Sequence, residues 1–78
     1  METQHDTLTK ELALALIYLS AWKEDTGEYR AWKGYDFGIL DALKEEGDID
    51  FSYKAKSLYL SEEGIAKAKA LIEKFAAT

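Results

Sequence analysis

A run of eight consecutive apolar residues, LALALIYL at positions 12–19, sets the terms on which a chain of 78 residues must fold. The run is much shorter than the roughly 18 apolar residues of a membrane span, so it is expected to be buried against protein. Leu8, Leu12, Ala15, Leu16, Leu19 and Trp22 recur at three- and four-residue steps and predict a helix from about Asp6 to Asp25. Leu14, Ile17, Tyr18 and Ala21 form a second stripe that a helix buried on one side does not need. Such a helix either lies centrally in its own fold or meets another chain. The second stripe is therefore the candidate homodimer interface.

The length allows one core, so residues 1–78 are read as a single domain, with 1–5 and 77–78 fraying at the ends. With no cysteine and one histidine, His5, the chain has no disulfide framework, no metal site and no apparent cofactor site. No basic leader precedes an apolar segment, and the protein is expected to be cytoplasmic, without a membrane partner. A formal charge of −5 disfavours general affinity for nucleic acid. Arg30, Lys33, Lys54 and Lys56 nevertheless stand in short segments without acids.

Further along, residues 24–28 (EDTGE) predict a turn, and Tyr29, Arg30, Ala31 and Trp32 a short edge strand. Asp36 is placed to cap a second helix, with Tyr35 and Leu40 as a hydrophobic staple across its start. Phe37, Ile39, Leu40 and Leu43 would form its buried face, and Gly47 its stop. Alternating Ile49, Phe51, Tyr53 and then Leu58, Leu60 predict a β-hairpin around residues 54–56. Ser61 caps a last helix with Glu62 and Glu63 in its first turn and Ile65, Ala68, Ile72 and Phe75 on its inner face. Gly38 and Gly64, in the first turns of the second and last helices, suggest close backbone packing. The order is helix, short strand, helix, β-hairpin, helix, an α+β fold.

The run YLSEEGI at 59–65, preceded by a helix ending in EEGDI at 45–49, resembles the wing and final helix start of winged-helix regulators, which implies a small winged-helix-like domain. The longer pattern RAWKGYDF at 30–37, LDAL at 40–43, KAKS at 54–57 and LSEEG at 60–64 is similar to a small bacterial family of unknown function. That resemblance implies a bacterial or phage origin and transfers no activity, substrate or cofactor.

Arg30, Trp32, Lys33 and Tyr35 combine charge with aromatic surface, the mixture that anchors a protein partner or stacks bases. They equally suit the edge of a core with solvated cations beside it. Lys54 and Lys56 at the hairpin tip are placed either to touch phosphates or to discourage edge-to-edge pairing. No catalytic residue, enzyme motif or small-molecule site emerges. The expected function is a non-catalytic protein-interaction module, homodimeric or bound to another protein. The alternatives are a winged-helix DNA-binding regulator, against which the acidic second helix counts, and an acidic decoy of a nucleic-acid-binding protein.

Overall fold

The computed structural model describes residues 4–77, with side chains from Thr7 onward. Of the ends expected to fray, residues 1–3 and 78 lie outside the described residues, as does the side chain of His5. The elements are α1 (Gln4–Ser20), β1 (Trp22–Lys23), β2 (Tyr29–Trp32), α2 (Phe37–Glu45), β3 (Ile49–Asp50), β4 (Ser57–Leu60) and α3 (Glu62–Ala76). This is the expected α+β, winged-helix-like order, with one strand more than the sequence reading foresaw.

That strand shortens the first helix. Ser20 Oγ donates to the Ile17 carbonyl at 3.1 Å and Ala21 N to the Tyr18 carbonyl at 3.2 Å, closing the helix five residues before Asp25. Trp22 and Lys23 then pair antiparallel with Arg30 and Tyr29. Gly27, at φ 92°, makes the turn between them. Aromatic Trp22 gains a cross-strand neighbour in the sheet, which outweighs the helix propensity of the segment.

The four strands are antiparallel in the order β1-β2-β4-β3. Tyr29 faces Leu60 and Ala31 faces Leu58 on one side of the sheet; Arg30 faces Tyr59 and Trp32 faces Ser57 on the other. The first side meets the helices. Its Ala31, Leu58, Leu60 and Ile49 join Leu14 and Ile17 of α1, Leu40 and Leu43 of α2, and Ala68 and Leu71 of α3 in one core. The β-hairpin is present but its ladder is short. Ile49 and Asp50 pair with Leu60 and Tyr59, and the chain turns through residues 51–56.

The cap of α2 is as expected, Asp36 Oδ2 accepting from Ile39 N at 3.3 Å. Phe37, at the first helical position, points away from the Leu40 and Leu43 face and is 61% exposed. In α3 the buried residues are Gly64, Ala68 and Leu71, while Ile65 and Phe75 pack at the border of the core and Ile72, expected on the inner face, is half-buried along the outer edge of the α1–α3 contact.

The start of α3 lies directly on the entry to β3. Ser61 Oγ accepts from Gly64 N at 2.9 Å, while its own N–H donates to the Asp48 carbonyl at 3.0 Å. A Cβ on Gly64 would stand 1.9 Å from the Asp48 carbonyl oxygen. No side-chain rotation relieves a clash with backbone, so one of the two segments must move. Gly64→Ala is expected to destabilise the protein by about 3 kcal/mol, read as a lower urea midpoint with unchanged denaturant slope. Gly34→Ala, where the added methyl meets nothing within 4 Å, is the control.

Candidate functional site

The side of the sheet turned away from the helices carries the candidate patch in part. Trp22, Arg30, Tyr59 and Asp50 form one cross-strand row, and Trp32 and Ser57 the next. The Trp22 and Trp32 rings lie 5.0 Å apart at 47°. The Arg30 guanidinium sits over the Tyr59 ring at 4.4 Å, reaches Glu24 Oε1 at 3.3 Å and donates to Ser57 Oγ. Arg30 and Trp32 thus belong together, and the sequence reading missed Trp22 and Tyr59. Trp22 was assigned to a helix, and Tyr59 becomes a neighbour only through the pairing of β2 with β4.

The other proposed binding residues are elsewhere. Lys33 donates to the carbonyls of Ser52 at 3.1 Å and Ala55 at 2.9 Å, and its ammonium lies 4.4 Å from the Phe51 ring centre. Lys44 grips the same loop from α2, donating to the Phe51 carbonyl at 2.8 Å over the rings of Phe51 and Tyr53. Tyr53 donates to Asp41 Oδ1 at 3.1 Å, and this bond to a carboxylate raises its pKa. Tyr35 packs against the border of the core. Lys54 and Lys56 are exposed on the loop. Two of the four cations expected to meet DNA, Arg30 and Lys33, are therefore engaged within the protein.

The stripe assigned to dimerisation is the inner one. Leu14 and Ile17 are at most 1% exposed, and Tyr18 and Ala21 pack against the core, Tyr18 with Tyr29 at 6.0 Å. The opposite stripe is outside: Leu8, Leu12, Leu16 and Leu19 are 45–64% exposed. Periodicity marks both stripes as apolar and does not say which one the sheet covers. Beside these leucines an open groove of about 510 Å³ runs between α1 and α3, lined by Leu12, Ala15, Leu16, Leu19, Ile72, Phe75 and Ala76.

A polar cleft lies on the other side of the α1–α3 contact. Lys10 Nζ meets Glu46 at 2.7 Å, and Lys67 Nζ meets Asp48 at 2.9 Å and Glu46 at 3.8 Å. Asp48 is 1% exposed, and nothing in its local sequence marks it as buried. Among the described residues no group of three or more His, Cys, Asp or Glu is placed to hold a metal ion, and no helix is long and apolar enough to cross a membrane.

Residues 5–78 match the family model described as a domain of unknown function, DUF6429. The chain belongs to this family. A relative from Sinorhizobium fredii (strain NBRC 101917 / NGR234), named uncharacterized protein y4hR, is 36% identical over 75 residues, 95% of each chain. No solved structure matches. That relative is bacterial and itself uncharacterized, and function is left to be argued from the surfaces.

The hydrogen bond to Asp48 raises the Lys67 pKa, while burial acts in the opposite direction. A raised folded-state value means that the pair stabilises fully below the ordinary lysine value of 10.5 and loses that contribution as pH rises through the raised one. Lys67→Met leaves the Asp48 carboxylate without its cation. Because Lys67 is half-exposed, the expected loss is about 1 kcal/mol, measured by urea unfolding at neutral pH, and it should vanish in strongly alkaline solution.

Proposed function

We propose that this protein is a non-catalytic, cytoplasmic protein-interaction module that works as a homodimer, joined through the exposed leucine face of α1 and the end of α3. The observation that carries the reading is the exposure of Leu8, Leu12, Leu16 and Leu19 on consecutive turns of one helix. Scattered exposed leucines are ordinary, but a contiguous row beside an apolar groove marks a contact surface.

A second copy suits this surface because ridge and groove lie side by side on the same patch. A two-fold axis then sets the leucine ridge of each copy into the groove of the other. The 17 residues of α1 span about 25 Å. A domain this small, without a cysteine to form a disulfide, also gains most from a partner that covers apolar surface.

A winged-helix regulator gains less support, since α2 is acidic at Asp36, Asp41, Glu45 and Glu46 and Arg30 and Lys33 have partners inside the fold. Light scattering on the eluted protein is expected to give twice the 8.8 kDa chain mass at micromolar concentration. A monomer up to high micromolar concentration would overturn the dimer. Leu16→Glu, placed on an exposed position, is expected to keep the fold and weaken self-association by at least about 30-fold, the loss of one hot-spot residue of about 2 kcal/mol.

A further inference from the structure

We propose that the open face of the sheet binds an extended, cationic, proline-containing segment of another protein, with Trp22, Trp32 and Tyr59 as its platform and Glu24, Glu28 and Asp50 as its charge partners. The solvent side of an antiparallel sheet that packs on one face ordinarily carries polar residues. Here its centre is Trp22, Arg30, Trp32 and Tyr59, and Trp32 is 64% exposed. Trp, Tyr and Arg are the residue types that dominate protein-binding energy. The helices pack on the other side of the sheet, so this face and the leucine face of α1 are separate surfaces.

The platform is ordered before any partner arrives. Arg30 is held between Tyr59, Ser57 and Glu24, and the two indoles rest on each other. Little side-chain freedom remains to be lost on binding. The two indoles, packed against each other at 5.0 Å and 47°, present one angled aromatic surface. Exposed aromatic surfaces pack the ring of proline in an extended left-handed helix, a ligand that is itself stiff in solution.

Charge selects among extended ligands. Glu24 and Glu28 lie across from each other beside the turn, Glu24 N donating to the Glu28 carbonyl at 2.7 Å, and both share the outward alternation of Trp22 and Arg30. Asp50 ends the row of Trp22, Arg30 and Tyr59, its carboxylate 80% exposed. Three carboxylates stand beside two cations, Arg30, which Glu24 meets at 3.3 Å, and Lys44, whose ammonium lies 3.8 Å from Asp50. The excess charge beside the aromatic rings is therefore negative and sits at Glu28. It attracts arginine or lysine on a peptide and repels the phosphates of a single-stranded nucleic acid, the other ligand that stacks on such platforms.

Both tryptophans of the chain lie on this face, so their indole NMR signals report binding directly. The protein is titrated with a peptide of about ten residues carrying two prolines in a PxxP spacing and flanked by arginines, with the same peptide carrying glutamates instead, and with a thymidine oligonucleotide of similar length. The expected result is saturable indole shifts with the arginine peptide, weakened at least about tenfold by its glutamate version and by Trp32→Ala or Glu28→Lys. The wild-type titration stands whether or not Trp32→Ala folds, and Glu28→Lys changes an exposed position. Indoles that ignore the arginine peptide, that respond equally to both peptides, or that bind the oligonucleotide more tightly would overturn the proposal. None of these results depends on the leucine face, whose failure is read by mass alone.

Discussion

The contact between the Asp48 carbonyl and the first turn of α3 holds the rest of the structure in register. With no side chain at Gly64, the helix comes down onto the entry to β3 until Ser61 shares its hydroxyl and amide with the segment it touches. That contact fixes where α3 begins, and Ala68 and Leu71 then enter the core one and two turns later. The α1–α3 groove inherits its position from this anchor. On the opposite side of the same helix pair, Asp48 and Lys67 tie the anchor to the polar cleft, so one short segment orders both the apolar and the charged sides of the contact.

Local chemistry was legible in the sequence wherever it acts through neighbours in the chain. The Asp36 and Ser61 caps, the glycine turn at 27 and the close packing at Gly64 all rest on residues within three or four positions of one another, or on an unusual residue in a helix start; at Gly38 the same reading fails, since that position is exposed and a Cβ there meets only the Asp36 side chain. The inner face of α1 was not legible. Leu12 and Leu14 are chemically identical, and only the sheet and the other two helices, all later in the chain, decide that Leu14 goes in and Leu12 stays out. The candidate patch failed for a related reason. Arg30 and Lys33 lie three positions apart and read as one cluster, yet one lies on the sheet and the other grips a loop.

The two lysines on that loop change what an acidic chain does with its cations. Lys33 and Lys44 approach Phe51 from β2 and α2 and bind loop carbonyls as well as aromatic faces. A loop with a ladder of only two residue pairs behind it is thereby fastened at its base. Positive charge that composition alone would assign to solvent or to a nucleic acid partner is used to order the wing.

The strand order β1-β2-β4-β3 has a consequence for how the chain is made. Strand β2 is central, and its second neighbour, β4, is emitted about 25 residues later during synthesis. Until Leu60 has left the ribosome, the apolar run of α1 has no sheet to lie on, and both of its stripes face water or whatever the cell offers them. Nascent chains on one message therefore present identical sticky helices to each other before any of them can fold alone.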